Sequence, residues 1–286
     1  MKISEIFKKN KPTLSFEVFP PKTSDGYESV KTATEKIAEL KPSFMSVTYG
    51  AGGTTKGYTV SIAENIQKKY GIPALSHLTC VSVTKDDMKN IACELKNAGI
   101  ENILALRGDM PKDMTTLKTD YKYACELVSD IKKLGDFCVG GACYPEGHIE
   151  ANNFHEDIEH LKIKADSGCD FLTTQMFFDN NIMYNFLYRA QKEGINIPIV
   201  AGIMPVTNVK QVERSCALSG TYLPRRFKMI VDRFGDNPES MAKAGIAYAT
   251  EQIIDLIANG VDFIHVYSMN KPEIAEKINE NLKGII

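Results

Sequence analysis

A (β/α)8 barrel with extra helices between its seventh and eighth strands is the fold this 286-residue sequence predicts. Three observations carry it. Short β-rich runs alternate with helical stretches at roughly thirty-residue spacing, the repeat of a βαβ unit. Glycines stand where the helices should stop: Gly99, Gly135, Gly168, Gly194 and Gly260. Several apolar runs also end abruptly in polar or charged residues, as when Leu104-Ala105-Leu106 meets Arg107-Gly108-Asp109. In a parallel α/β barrel, the carboxyl tip of a strand is where chemistry sits.

The strands are expected at 14–20, 44–50, 74–80, 102–108, 137–144, 171–177, 198–204 and 262–268. The helical patterns fall at 25–40, 55–70, 85–98, 120–134, 153–167, 180–192, 207–218, 225–234, 239–258 and 271–283. Thr84 before Lys85-Asp86-Asp87, and Asp179 before Asn180, are helix start signals, since a short oxygen side chain can accept from the free N–H groups of a first turn. No linker, low-complexity segment or shift in composition divides the chain, so one domain over 1–286 is expected.

Composition narrows the function classes. A formal net charge of −2 gives no bulk basic field for nucleic acid or an anionic membrane. No apolar run approaches the ~20 residues of a membrane span. Met1–Lys9 lacks the apolar core of a signal peptide, so a cytoplasmic protein is expected. The seven cysteines include no C-x-x-C pair, and Cys80, Cys138, Cys143 and Cys169 lie in or beside apolar strands, where they read as small buried hydrophobes. The five histidines form no H-E-x-x-H, and His155 and His160 do not share a helix face, so no metal site is expected. Gly50-Ala51-Gly52-Gly53-Thr54-Thr55 is neither a P-loop nor a dinucleotide fingerprint; alone it reads as a tight turn.

Alternation selects candidate site residues. Leu14, Phe16 and Val18 share one face of the first strand, and Ser15, Glu17 and Phe19 the other. On the sixth strand Phe171, Thr173 and Gln175 oppose Leu172 and Thr174; on the eighth, Phe263, His265 and Tyr267 oppose Ile264 and Val266. A barrel strand turns one face to the helices and the other to the lumen. Glu17, Thr48, His77, Arg107, Gln175 and Tyr267 are therefore expected to point inward at one mouth, joined by Asp109 from a loop.

Motifs spread along the chain resemble the methylenetetrahydrofolate reductase family. They are Ser15–Pro21 (SFEVFPP), Val47–Gly53 (VTYGAGG), His77-Leu78-Thr79-Cys80, Leu106-Arg107-Gly108-Asp109, Tyr144–His148 (YPEGH), Thr174-Gln175 and Pro198–Pro205 (PIVAGIMP). The likeness runs in order from near residue 3 to near residue 283 and resembles the bacterial catalytic form. It implies a barrel that holds FAD and transfers hydride to 5,10-methylenetetrahydrofolate, giving 5-methyltetrahydrofolate. In the family pattern, Thr48, His77, Arg107, Gly108, Asp109, Tyr123, Ala124, Tyr144, His148, Asp157 and Lys164 match positions that contact FAD. His160 stands on the same helix where an asparagine is usual, and Ile163 where an arginine is usual. Glu17, Asp109, Gln175 and Lys271 match positions that serve the folate, with Tyr267 beside them by its inward phase. Met176 replaces a phenylalanine next to Gln175. Ser215 stands where the bacterial pattern has a phenylalanine that stacks on ligands.

The implied chemistry fits these residue types. Arg107, His148 and Lys164 can neutralise a diphosphate, and Gln175 offers both donor and acceptor to a pterin edge. Glu17 is the expected general acid, protonating the folate bridge on its N10 side so that it opens to an N5 iminium cation. Asp109 would favour that cation electrostatically. The implied partners are methylenetetrahydrofolate, an electron donor that is NAD(P)H or a reduced protein carrier, and further copies of the chain. Two other readings stay open here: a pterin-binding methyltransferase barrel, and a flavin- and folate-binding subunit of an electron-transfer assembly.

Overall fold

The computed structural model describes residues 1–21, 23–49, 56–81, 83–109 and 119–286. Among them, eight parallel strands pair in sequence order and close into a barrel, β8 returning to β1. They are β1 (Thr13–Val18), β2 (Met45–Val47), β3 (Ala74–Thr79), β4 (Asn102–Leu106), β5 (Cys138–Cys143), β6 (Phe171–Thr174), β7 (Ile199–Ile203) and β8 (Phe263–Tyr267). Around them lie α1 (Ile3–Phe7), α2 (Tyr27–Glu39), α3 (Lys56–Tyr70), α4 (Lys85–Asn97), α5 (Ala124–Leu134), α6 (Phe154–Asp166), α7 (Asn180–Lys192), α8 (Val209–Ser219), α9 (Arg225–Phe234), α10 (Pro238–Ala258) and α11 (Pro272–Asn281). The extra helices between β7 and β8 are where the spacing places them. The Gly50–Thr55 turn lies outside the described residues.

The start and stop signals act as expected. Thr84 caps α4, its side chain accepting from the Asp87 N–H while Asp87 accepts from the Thr84 N–H. Asp179 caps α7 through the Asn181 N–H. Gly99, Gly135, Gly168, Gly194 and Gly260 all have positive φ, which a side chain would resist. Cys80, Cys138, Cys143 and Cys169 are buried, and all seven cysteines are free.

The strand phases divide two cores. Leu14, Phe16, Val18, Ile103, Ala105, Val139, Leu172, Ala201, Ile203, Ile264 and Val266 face outward into the main core against the helices. The opposite phase fills the lumen. Its lower part is a separate apolar cluster of Phe44, Leu75, Leu104, Cys138, Phe171 and Val200, closed from below by Ile3, Ile6 and Phe7 of α1. Phe7 meets Phe44, Phe171 and Phe263 at ring-centroid distances of 6.2, 5.5 and 4.4 Å. This plug has no counterpart in the expected helices: α1 is one short turn-and-a-half, with too few residues to show a period. Lumen packing also explains two strand glycines. A Cβ on Gly140 would lie 2.5 Å from Phe171 Cζ, and one on Gly202 would lie 2.4 Å from the Tyr267 hydroxyl.

Candidate active site

Above the apolar floor the lumen turns polar. Ser15 and Glu17 of β1, Ser46 of β2, His77 of β3 and His265 and Tyr267 of β8 converge there, in register: Glu17 lies beside both Ser46 and Tyr267, and Ser15 beside His265. The Glu17 side chain keeps 20 % of its surface open, so it is reachable from the mouth although sheltered. His77 Nε2 stands 3.7 Å from its carboxylate, too far for a hydrogen bond. Burial pushes the Glu17 carboxyl up to about 8, and a proton donated by the neighbouring Ser46 hydroxyl would oppose that rise. Burial drives His77 the other way, down to about 3, so it is a neutral imidazole at physiological pH. Nε2 of His77 is buried and has no partner among the described residues. The Tyr267 hydroxyl donates to the Thr174 carbonyl at 2.5 Å, in the space left by Gly202. Tyr267 is held well above the usual phenol range, by burial first and by the Glu17 charge second.

A second cluster forms the rim over β4 and β5. Arg107 departs from its expected place. Leu104 packs in the lumen floor with Leu106 against it, so Arg107 falls in the outward phase, just past the end of β4. It runs along the rim to Glu150, donating from Nη1 and Nη2 to the two carboxylate oxygens at 2.5 and 2.7 Å. Gly108 turns the chain at φ +83°, and a Cβ there would sit 3.0 Å from Thr79. Tyr144 and His148 meet edge to face at 4.6 Å. Burial raises the Tyr144 phenol to about 12. His148 Nδ1 accepts from the Glu150 N–H at 3.1 Å, and burial, then Arg107, lowers its basicity. On α6, Lys164 donates to the Ala142 carbonyl at 2.6 Å, and burial lowers its pKa. Asp157, also on α6, is raised by burial, while the His148 backbone N–H and Lys164 pull it down.

The other expected residues are more scattered. Asp109 is exposed on the rim, close enough to Arg107 and Tyr144 to act on both electrostatically. Thr48 follows β2 in the lumen phase, its N–H bonded to the Val18 carbonyl at 3.0 Å. Gln175 follows β6, its Oε1 accepting from the Met176 N–H at 2.9 Å. Lys271 caps α11 by position and reaches Thr207 at 3.2 Å. Tyr123 is 49 % exposed at the start of α5, whereas Ala124 is buried. His160 is exposed on α6 and touches the cluster only through its electrostatic effect on Asp157. Among the described residues no group of three or more His, Cys, Asp or Glu side chains is placed to hold a metal ion, and no helix is long and apolar enough to cross a membrane.

Sequence reasoning passed over Ser15, Ser46, His265 and Glu150. The first three share the lumen phase with Glu17 and Tyr267, so alternation could have found them. Glu150 lies in the loop after β5 and carries no periodic signal.

A largely buried acid at the carboxyl mouth of a barrel, beside a rim of arginine, histidine, lysine and aromatic groups, is the layout of a barrel enzyme's site. The chain belongs to the methylenetetrahydrofolate reductase family, whose model matches residues 2–283. It is 36% identical over 269 residues to 5,10-methylenetetrahydrofolate reductase of Pectobacterium carotovorum, covering 94% of this chain and 89% of that one. It is 35% identical to the Escherichia coli enzyme of the same name, covering 94% and 90%. Against methylenetetrahydrofolate reductase (NADH) 1 of Arabidopsis thaliana it is 34% identical over its full length, but spans 50% of that protein. A solved Clostridium thermocellum protein that binds two copies of 5-methyl-5,6,7,8-tetrahydrofolic acid shares the fold, with a TM-score of 0.65 at 18% identity, covering 99% of this chain and 98% of that one.

Proposed function

We propose that this chain, one catalytic barrel over residues 1–286, reduces 5,10-methylenetetrahydrofolate to 5-methyltetrahydrofolate, with FAD as cofactor and Glu17 as the general acid. Family membership supports the reaction. The observation that carries the acid assignment is Glu17 itself: a carboxyl at the mouth, open by 20 %, with no cation beside it among the described residues and a pKa raised by burial to about 8. Such a carboxyl holds its proton at neutral pH and can release it to a substrate nitrogen.

The donor set of the rim fits FAD. Arg107, His148 and Lys164 are suited to a diphosphate, Gly108 lets backbone approach closely, and Tyr144 offers a flat wall. Thr48, His77, Asp109, Tyr123, Ala124 and Asp157 complete the set that the family pattern assigns to it, with His160 in place of the pattern's asparagine. When bound, FAD supplies the hydride. The chain does the rest. Glu17 gives a proton to N10 of the folate, the N10–methylene bond breaks with its electron pair moving to N10, and the N5 iminium accepts hydride at the methylene carbon. Asp109 favours the iminium charge, and Gln175, Tyr267 and Lys271 orient the folate. Ser215 is half-buried on α8 and presents no ring where a nicotinamide nucleotide would be stacked. The donor is NAD(P)H held without that ring, the rival being a reduced protein carrier. The protein is read as cytoplasmic and as a homo-oligomer.

The deciding experiment releases and identifies the flavin, then mixes the anaerobic holoenzyme with NADH or NADPH and with methylenetetrahydrofolate. FAD released on denaturation and 5-methyltetrahydrofolate formed from reduced enzyme are expected. FMN, or no flavin after reconstitution, refutes the cofactor. Reduced flavin that folate does not reoxidise refutes the reaction.

A further inference from the structure

The polar lumen contains a hydrogen-bond chain whose direction is fixed from one end. The Ser15 hydroxyl donates to the Ile264 carbonyl at 2.9 Å. Its single proton is thereby used, so toward His265 Nδ1, 2.7 Å away, Ser15 acts as acceptor. His265 therefore carries its proton on Nδ1 and presents a bare Nε2. That lone pair faces the Ser46 hydroxyl at 3.0 Å and takes its proton. Ser46 is left with only lone pairs to offer the Glu17 carboxyl beside it. The imidazole cannot pivot out of this arrangement easily. It is buried and stacked on Phe44 of the apolar floor, centroids 5.5 Å apart and planes within 10°. Burial, and then the neighbouring His77, hold His265 at about 3, so it does not gain a second proton that would reverse the chain.

We propose that His265 is a positioning residue for Glu17: anchored by Ser15, it takes the Ser46 proton and so obliges Ser46 to accept from the Glu17 carboxyl rather than donate to it. This rests on reading Glu17 as the acid. An acceptor stabilises the protonated acid, whereas a donor would stabilise the carboxylate and lower its pKa. The remaining groups facing Glu17 reinforce the effect. Tyr267 on β8 spends its proton on the Thr174 carbonyl. His77 on β3 is neutral and stands 3.7 Å away. Neither hydroxyl beside Glu17 is thus free to donate to it, and no cation faces it among the described residues.

The test is an infrared titration of the protonated-carboxyl C=O band in the purified holoenzyme, assigned to Glu17 by its loss in Glu17→Gln. His265→Phe keeps the stack on Phe44 but removes the acceptor, freeing the Ser46 proton for Glu17. The band's midpoint should fall by ~1 pH unit or more. Ser15→Ala, which keeps the imidazole and its packing, releases Nδ1 and should move the midpoint the same way. Ser46→Ala removes the acceptor but leaves no freed hydroxyl to donate in its place, so its midpoint should fall less than in His265→Phe, and adding Ser46→Ala to His265→Phe should bring the drop back to that of Ser46→Ala alone. The proposal is overturned if His265→Phe and Ser15→Ala titrate as wild type, or if Ser46→Ala falls as far as they do. A purely structural role would move all three alike. The band needs no substrate, so this outcome is independent of whether Glu17→Gln abolishes folate reduction, which is the separate test of the acid assignment.

Discussion

The floor and the mouth of this barrel are built from the same strands in the same phase, yet they solve opposite problems. At the floor, Phe44, Leu75, Leu104 and Phe171 form one apolar cluster with Phe7 from α1. At the mouth, two to four residues further along each strand, the same inward positions carry Glu17, Ser46, His77, His265 and Tyr267. There one nitrogen, His77 Nε2, is left without a partner among the described residues, and an acid is left without a cation. The lesson is a division of labour within one lumen. The filled floor contributes stability, and it supplies the rigid stack under His265 on which the unpaired groups of the mouth are held.

Glu17→Gln should break that contrast most sharply. The amide keeps the shape of the side chain but has no acidic proton, so folate reduction should fall by ~10²–10⁴-fold. Flavin content and flavin reduction by the donor should stay near wild type; stopped-flow measurement of the two half-reactions separates them. The same variant sharpens the comparison energetically. Glu17 in the folded protein titrates near 8, against an ordinary 4.5. Below 4.5 both folded and unfolded chains hold the proton, and nothing is lost. Between 4.5 and 8 the unfolded chain releases it while the folded chain does not, so native stability declines as pH rises through that window and levels off above it. Glutamine removes this decline. Glu17→Gln should therefore gain thermal stability over wild type at pH 8 and match it closely at pH 4.5. Equal melting temperatures at both pH values would mean that the carboxyl is not strained in the fold. In wild type, the acid-dependent half-reaction should fade as pH rises through about 8.

Phe7→Ala attacks the floor alone. Phe7 is 2 % exposed and touches three aromatic rings. A buried Phe→Ala substitution costs about 3–5 kcal/mol. Denaturant unfolding should show that loss, while the folded fraction retains acid-dependent turnover. Loss of turnover in protein that is still folded would show that floor and mouth are not separable.

Asp109→Asn tests the rim. Removing a charge positioned to favour a developing cation should slow the folate half-reaction on the order of 10²-fold and make the flavin easier to reduce. An unchanged flavin potential would place Asp109 away from the ring.

Legibility in the sequence follows the same divide. The helices from α2 onward showed through period, because each spans ten residues or more, and several of them through a closing glycine; the strands showed as short apolar runs between them. The α1 plug did not: five residues give no period, and its burial depends on a lumen that exists only once the barrel closes. Glu17, His77, Gln175 and Tyr267 were legible because strand alternation is strict inside the barrel. Arg107 misled because β4 ends one residue before it, and a rim residue answers to its partner Glu150 rather than to strand phase. Direction within the Ser15–His265–Ser46 chain could not be read at all, since it depends on distances between strands that are 31 to 250 residues apart in sequence.

The smallest expected effect lies furthest from the floor. Ser215 is half-buried near the C-terminal end of α8, and its carbonyl accepts from Ser219, which is linked through Thr221 to the Met176 carbonyl beside Gln175. This run ties the helix end to the mouth without supplying an aromatic surface. An added ring stacked on a planar ligand brings ~0.5–1.5 kcal/mol beyond its area, or several-fold to roughly tenfold in affinity. If a nicotinamide nucleotide reduces the flavin, Ser215→Phe should lower its apparent dissociation constant by that factor in anaerobic reduction, leaving the acid-dependent folate half-reaction unchanged. Rapid, saturable reduction of the wild-type chain by micromolar NADH would remove both the weak-binding expectation and the need for a protein carrier. Failure of NADH and NADPH to reduce either the wild-type or the Ser215→Phe enzyme would instead move the electron donor to a partner protein, and leave the mouth's acid chemistry as it stands.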